Sequence, residues 1–385
     1  MVEWIIIRDL FDTRNGYTPS TNVESFWEDG TIPWFKMDDI RDNGSVLNDS
    51  KLHVTEKAIK GKSIFKANSI ILATSATIGE HALILVEHLC NQRFTNLYPQ
   101  KNYVDRVNMK YVYYYMFIVD EWCKQHTHQG GFASVDMEGL YKLPVPIPSI
   151  SEQTRIVGIL DTFTSSIENL KEQIAQRRKQ YEHYRDQLLD LEGKEGVEMK
   201  TLGEVCEIKG EYGLSVPSKP FDGVRYIRIT DITDSGSLNN DCVSADCDEI
   251  EKEPLKEGDI LFARTGATVG KTLIFLKEYG ECLYAGYLIR YRIRKDIVLP
   301  KYVFHFTHSN QYNMWVKSNL VEGAQPNINA QKYNSLSIPV PSLQEQQCIV
   351  SILDTFEASI SNLEAQLKER EKQYEYYRNK LLTFE

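Results

Sequence analysis

Three short patterns in this chain hold residue types that do chemistry. Gly266-Ala-Thr-Val-Gly270-Lys271-Thr272 resembles the glycine-rich loop that cradles a phosphate with backbone N–H groups. The full pattern needs a glycine at position 265, where Thr265 stands, and the matching place in the first half of the chain ends in Gly79-Glu80 with no lysine. Glu207-Ile208-Lys209 has the form of a nuclease Glu-x-Lys, a tripeptide that also arises by chance. Cys123, His126 and His128 lie close together, but no Cys-x-x-Cys accompanies them, so a surface loop is expected rather than a metal site. No G-x-G-x-x-G opens a helix, and no Asn-Pro-Pro-aromatic or Asp-Pro-Pro-aromatic tetrad of an adenine methyltransferase occurs. No catalytic constellation emerges, and the chain is read as non-catalytic.

What remains is polar and basic chemistry suited to phosphates and base edges. Lys51, Lys57, Lys60, Lys62 and Lys66 are accompanied by Glu56 alone. Arg225, Arg228, Arg264 and Lys271 flank strand-like runs, and Arg290-x-Arg292-x-Arg294 would place three guanidinium groups on one face of a strand, with Tyr284, Tyr287 and Tyr291 interleaved. Such a face lines a phosphate path or, alternatively, is a solvated sheet face. Gln92, Arg93, Gln129, Gln325 and Asn327 carry the forked donors and acceptors that read bases. The net charge of −10 argues against DNA binding by bulk charge. The charge is unevenly spread: residues 1–147 hold 15 basic and 18 acidic side chains and residues 199–340 hold 17 and 18, so both are near neutral.

The elements that position these residues follow from an internal repeat. Pro148–Glu192 and Pro341–Glu385 align without a gap at an offset of 193, with 26 of 45 positions identical. The offset is half of the 385-residue chain, which is therefore two tandem copies of one unit. Within each copy, apolar and aromatic residues recur in alternating steps of four and three. The first series runs Ile156, Leu160, Phe163, Ile167, Leu170, Ile174, Arg177, Tyr181, Tyr184, Leu188, Leu191; the second runs from Ile349 to Phe384 through Phe356, Leu363, Arg370, Tyr374 and Tyr377. That 3.5-residue period predicts a coiled coil of two long helices, most simply paired antiparallel with each other. Ser149-x-x-Glu152 and Ser342-x-x-Glu345 are capping boxes that mark both starts. Arg177 and Arg370 interrupt the seam at equivalent positions and either fix its register or reach out to solvent.

The parts before each helix read as mixed α/β domains. Ile5–Ile7, Ile70–Ala73, Ala82–Val86, Tyr226–Ile229, Asp259–Phe262 and Tyr287–Ile293 are expected strands, and Lys110–Cys123 and Lys301–Ser309 short helices. Landmarks recur: Trp34–Ile40 answers Tyr226–Ile232, and Ile70–Ala73 with Ala76–Gly79 answers Ile260–Ala263 with Ala267–Gly270, as Gly130 answers Gly323. The expected fold class is α+β, with units at 1–148 and 194–341 and helices at 149–193 and 342–385. No run is apolar enough for a membrane span, Met1–Leu10 is not a signal peptide, and seven scattered cysteines suit a reducing cytoplasm.

Pro146–Gln153 and Pro339–Gln346 share Pro-x-Pro-Ser-x-x-Glu-Gln, and both helices end in Tyr-x-x-Tyr-Arg-x-x-Leu-Leu. With Asn15-Gly-Tyr-Thr-Pro-Ser20 and the Asp39-Ile40 and Asp231-Ile232 elements, the whole chain resembles the DNA-specificity (S) subunit of type I restriction–modification systems. The resemblance implies two target-recognition domains that read an asymmetric bipartite site in double-stranded DNA. It implies two docked methyltransferase subunits that bring S-adenosylmethionine, and restriction subunits that bring ATP and Mg, with no cofactor in this chain. The second unit reads Gly213-Leu-Ser-Val-Pro217-Ser218 where the first has Gly-Tyr-Thr-Pro-Ser, so roles do not transfer simply between halves. The residues expected at DNA are Arg14, Tyr17, Thr18, Lys36, Lys60, Lys62, Thr77, Gln92, Arg93 and Gln129 in the first unit. In the second they are Lys209, Arg225, Arg228, Arg264, Thr268, Lys271, Arg290, Arg292, Gln325 and Asn327. At the subunit and coiled-coil interface are expected Glu152, Gln153, Phe163, Leu170, Arg177, Tyr181, Tyr184 and Arg185, and in the second copy Glu345, Gln346, Phe356, Leu363, Arg370, Tyr374, Tyr377 and Arg378. The rival readings are a coiled-coil scaffold that binds proteins and does not read DNA, and a phosphoryl-transfer enzyme that uses Lys271.

Overall fold

The computed structural model describes residues 2–61, 63–128, 133–247, 254–320 and 325–384. It divides into two compact units, residues 1–169 with 367–385 and residues 170–366. Each unit therefore contains one globular part and a stretch of both long helices. Among the described residues, no helix is long and apolar enough to cross a membrane.

The globular parts share one plan. In unit 1 the main sheet has the strand order Phe11–Asn15, Phe94–Pro99, Ser69–Ala73, His81–Ile84, Val46–Leu47. In unit 2 the order is Cys206–Tyr212, Leu288–Ile293, Ile260–Ala263, Thr272–Ile274. The central strand of each is buried on both faces. Ile70 and Leu72 enter the core that also holds the helices, while Ile71 and Ala73 enter a second core. Ile260 and Phe262, then Leu261 and Ala263, divide in the same way. Alternation along a strand sends successive side chains to opposite faces, so a strand covered on both sides reads as a continuous apolar run. The expected helices are present as Met109–Gln125 and Pro300–Phe306.

The long helices run Ile150–Leu189 and Leu343–Leu382. At each start the Ser hydroxyl accepts the backbone N–H of the Glu three residues on, at 3.3 Å for Ser149 and 3.2 Å for Ser342. Glu152 turns its carboxylate to Arg155, 2.6 Å away, so in that helix the reciprocal half of the capping box is not made. Within unit 1, Phe163 stacks on Tyr377 (5.3 Å between centroids) and Arg370 lies 5.7 Å over Phe163. Within unit 2, Tyr184 stacks on Phe356 (5.5 Å) and Arg177 lies 5.7 Å over Phe356. The 193-residue offset converts one set into the other, so the helices pair antiparallel through equivalent contacts. Leu170 and Leu363 are half-buried on this seam.

Two interface expectations are corrected. Gln153 and Gln346 are fully buried and face their own globular part, not a partner. The Gln153 side chain accepts the Asn108 N–H at 2.8 Å and donates to the Arg106 and Pro148 carbonyls. Gln346 does the same with Leu299 N–H, Ile297 and Pro341. An amide with two donors and an acceptor is the side chain that closes three backbone groups at once. Gln153→Ala is expected to destabilise unit 1 by about 1–3 kcal/mol, the cost of stranding buried polar groups. Urea unfolding checks this; an unchanged midpoint would contradict it.

The helices Met109–Gln125 and Pro300–Phe306 each also grip the long helix of their own unit. Lys110 Nζ lies 2.8 Å and Tyr114 Oη 2.6 Å from Asp161, as Lys301 and His305 lie 2.5 Å and 3.1 Å from Asp354. Tyr111 and Tyr302 donate to the Pro146 and Pro339 carbonyls, both at 2.8 Å. The tripeptide Lys-Tyr-Val at 110–112 and 301–303 marked this grip in the sequence.

Two buried histidines set a pH dependence. Burial pushes His88 and His308 down to about 4. Both keep Nδ1–H for a carbonyl, that of Val86 at 2.9 Å and of Phe304 at 3.0 Å. An unfolded histidine titrates near ~6.5. Between these values the unfolded chain binds protons that the folded chain refuses, so this stability is complete above about 6.5 and is lost as pH falls toward 4. The urea midpoint at pH 5 is expected to lie below that at pH 7; equal midpoints would contradict neutral burial.

Candidate nucleic-acid interface

The same backbone frame is built once in each unit. In unit 1 Thr74 N–H donates to Arg93 O at 2.9 Å, Val135 N–H to Thr74 O at 2.9 Å, and Ala76 N–H to Ala133 O at 3.2 Å. In unit 2 Arg264 N–H donates to Tyr287 O at 3.0 Å, Ile328 N–H to Arg264 O at 2.9 Å, and Gly266 N–H to Pro326 O at 3.1 Å. Ala76 and Gly266 take the same left-handed conformation, φ 64° and 70°. Only glycine enters it without strain, so unit 1 holds an alanine there against a local preference. The frames match, but the side chains they carry do not. Ser75-Ala-Thr-Ile78 stands opposite Thr265-Gly-Ala-Thr-Val269, and Gln92-Arg93 opposite Gly286-Tyr287.

In unit 1 the expected residues cluster on this frame. Thr18 bonds Gln92, and Tyr17 donates to Ala58 O at 3.0 Å. Lys60 lies 5.7 Å over the Tyr17 ring. Arg14 lies 4.1 Å over Phe65 and donates to Ser63 O. Gln92, Arg93 and Lys60 are exposed, and the Thr77 hydroxyl oxygen is buried with no hydrogen-bond partner in the protein. Lys36, at the start of a short helix, pairs with Asp38 at 2.8 Å and lines a groove with Thr18. Lys62 and Gln129 lie outside the described residues, as do Gly130 and Gly323.

In unit 2, Arg264, Thr268, Gln325 and Asn327 come together. Arg264 lies 5.0 Å over Tyr212, Thr265 bridges to Asn327, and Thr268 donates to Thr265 O at 3.1 Å. Gln325 and Asn327 are exposed. Tyr287, 57% exposed, was not among the expected contacts. Tyr284 and Tyr291 are buried on the strands Cys282–Tyr284 and Leu288–Ile293, whereas Tyr287 lies in the turn between them. Lys209 is exposed but lies on another strand. Arg225 donates to the Asn239 and Asp241 carbonyls at 2.8 and 3.0 Å, and Arg228 pairs with Asp231 and Asp241 at 2.8 and 2.7 Å. Both staple the 239–241 segment. Lys271 pairs with Asp234 at 2.6 Å, the counterpart with reversed polarity of Arg41–Glu80 at 3.0 Å in unit 1.

The structure corrects Arg290 and Arg292. They do share a face, as alternation requires, but that face is covered. Arg290 is fully buried, 2.6 Å from Glu211 and 3.8 Å from Asp259. Arg292 holds Asp259 through Nε and Nη2 at 2.8 and 2.9 Å. The equivalent register position in unit 1 is Asn96, buried and donating to Ser69 at 2.8 Å. This position is a strut inside the sheet, closed to phosphate.

Comparison with known proteins agrees with the repeat. Residues 2–177 and 194–372 each match the type I restriction modification DNA specificity domain. The chain is 34% identical over 379 residues to the type I restriction enzyme EcoprrI specificity subunit of Escherichia coli, covering 94% of this chain and 89% of that one. It is 31% identical to the EcoR124I/EcoR124II specificity subunit of Escherichia coli, covering 72% and 71%. The fold is that of the type I restriction–modification S subunit from M. genitalium, with a TM-score of 0.59 at 17% identity over 100% and 97% of the two chains. A chain from a study of complex assembly and conformational transition of the type I system gives 0.64 at 17% over 99% and 96%. Both halves of the chain thus carry the family's domain and its two-domain fold, and the protein belongs to the DNA specificity subunits of type I restriction–modification systems, whose part is sequence recognition and not catalysis.

Proposed function

We propose that the chain reads an asymmetric bipartite DNA site, one half-site per unit, with recognition domains at 1–148 and 194–341 and helices at 149–193 and 342–385. The observation that carries this reading is the frame built twice with different side chains. One backbone geometry meeting DNA twice addresses two half-sites, and different side chains make those half-sites differ. Gln92 and Arg93 in unit 1, and Arg264, Tyr287, Gln325 and Asn327 in unit 2, are the proposed base and phosphate contacts. Two methyltransferase subunits dock on the chain and supply S-adenosylmethionine; ATP and Mg belong to restriction subunits. This division of labour suits a chain without a methyltransferase tetrad and with net charge −10, since its partners share the clamping of DNA.

The test is co-expression with its methyltransferase partner in a host without DNA methylation, followed by mapping of methylated adenines. A bipartite motif that needs this chain is expected. Replacing Gln92 and Arg93 by alanine is expected to relax one half-site and leave the other intact. A stable complex that yields no motif would favour the scaffold reading instead.

A further inference from the structure

A glycine opens one loop in each unit and fixes where that loop lies. A Cβ on Gly16 would stand 2.2 Å from the Asn91 carbonyl oxygen and 2.3 Å from that of Cys90. A Cβ on Gly213 would stand 2.2 Å from the Tyr284 oxygen and 2.3 Å from that of Ala285. Glycine alone lets two backbones approach so closely. Equivalent bonds then hold both loops. Gly16 N–H donates to Phe94 O at 2.9 Å and Tyr17 N–H to Cys90 O at 2.8 Å, as Gly213 N–H donates to Leu288 O at 3.2 Å and Leu214 N–H to Tyr284 O at 2.8 Å. The Trp34 indole donates to Tyr17 O at 3.0 Å, and the Tyr226 hydroxyl to Leu214 O at 2.7 Å. Tyr17 therefore answers Leu214, and the residues that follow, Thr18 and Ser215, answer each other. On the turn they face, Gln92 answers Gly286. Here the units part. In unit 1 the Thr18 hydroxyl donates to the Gln92 amide oxygen and holds that exposed amide in one orientation. In unit 2 Gly286 has no side chain, and a Cβ there would stand 2.6 Å from Ser215 Oγ. The Gly286 backbone lies outside the left-handed region, so its conformation does not call for glycine. What the glycine supplies is room, and Ser215 Oγ fills the space where the Gln92 side chain leaves the turn in unit 1. Ser215 is exposed, and Tyr287, next to Gly286, accepts the Arg264 N–H of the frame.

We propose that Ser215 is a specificity-determining residue of unit 2, its hydroxyl presented to a base edge through the room that Gly286 leaves. Thr18 with Gln92, and Ser215 with Gly286, are then alternative fillings of one reading position. This inference rests on the proposed function, in which each unit meets one half-site. An amide oriented by a neighbouring hydroxyl keeps its NH2 group and one lone pair for a two-point contact, which selects one base strongly. A serine hydroxyl donates and accepts through a single atom, so it meets more than one base edge and discriminates less. The position is therefore read more strictly in the half-site of unit 1 than in that of unit 2.

The experiment is methylation mapping with the full chain and its methyltransferase partner, with base frequencies read at every position of both half-sites. The chain with Gln92→Ala and Arg93→Ala identifies the half-site of unit 1. Ser215→Ala removes one exposed oxygen and is expected to lower discrimination roughly tenfold at one position of the other half-site, with the urea midpoint unchanged. Gly286→Ala sets a methyl group against Ser215 Oγ and is expected to relax the same position with the serine still in place. Ser215→Thr combined with Gly286→Gln installs the unit 1 pair and is expected to sharpen that position toward the base that Gln92 selects. A motif that Ser215→Ala leaves unchanged, or changes only in the half-site of unit 1, overturns the inference and leaves the proposed function standing. Loss of methylation at every site by a folded Ser215→Ala chain also overturns it, since a one-point base contact does not govern assembly. Relaxation by Ser215→Ala but not by Gly286→Ala overturns the part given to Gly286. A wild-type chain that yields no bipartite motif overturns the proposed function, and this inference with it.

Discussion

Seven residues inserted into each long helix, after Gln173 and after Gln366, are expected to lengthen the unspecified gap of the methylated motif by about three base pairs and leave both half-sites unchanged. A heptad restores the phase of a seam whose period is 3.5, so Ile174 and Leu367 and all that follow return to it. Seven residues add about 10.5 Å of helix, and duplex DNA rises about 3.4 Å per base pair, which gives roughly three pairs. The ring contacts beyond each insertion, Tyr184 on Phe356 and Phe163 on Tyr377, stay in phase. A four-residue insertion in one helix alone moves Ile174, Tyr181 and Leu188 off the seam and leaves the paired helices out of step, and is expected to prevent assembly. Methylation mapping reads both outcomes. A gap unchanged by the double heptad would remove the helices from the role of ruler, while a changed half-site would mean that they carry base recognition.

How far such a structure can be read from residues depends on whether the signal is local. The helix seam is a local signal, since every fourth or third residue states its burial by being apolar, and the less exposed line in both helices follows it except at Tyr184 and Tyr377, which are 45% and 41% exposed. The interruptions were not decided locally. Arg177 and Arg370 were open between fixing register and reaching solvent, and each lies half-buried with its guanidinium over a seam phenylalanine of the other helix. That contact exists only once the pairing is known. The double-faced strands were legible as apolar runs because both faces are dry.

The interface was legible only in part, because hydrogen bonds such as Thr74 N–H to Arg93 O and Arg264 N–H to Tyr287 O join backbone groups and leave no mark in side-chain type. Residue type pointed to Gln92, Arg93 and Asn327 but passed over Tyr287, whose exposure comes from its place in the turn between two strands. It also drew Gln153 and Gln346 toward a partner, since a glutamine in a helix start has the same letter whether it caps its own domain or meets another. Lys271 read as a phosphate ligand because its partner Asp234 lies 37 positions away, beyond the reach of any pattern.

Asp259→Ala is expected to cost unit 2 about 3–5 kcal/mol, the range for removing one partner from a buried ion cluster. Asp259 is buried, holds Arg292 with both carboxylate oxygens and stands 3.8 Å from Arg290, whose side chain is wholly enclosed. Without it two guanidinium groups share the half-exposed Glu211 in place of a carboxylate at their centre. Because the cores of the two units are built from separate residues, unit 2 is expected to melt earlier while unit 1 keeps its midpoint. Calorimetry of the full chain would show one transition divide into two. The combined variant Asp259→Leu, Arg290→Met, Arg292→Leu removes every charge of the strut except Glu211 and is expected to recover most of the loss, since well-packed apolar groups replace a buried ion cluster at little cost. The same pair of variants separates a strut from a phosphate path. Were Arg290 and Arg292 ligands of the DNA backbone, Asp259→Ala would free them and strengthen DNA binding without loss of stability, and the apolar variant would abolish binding while leaving the fold untouched.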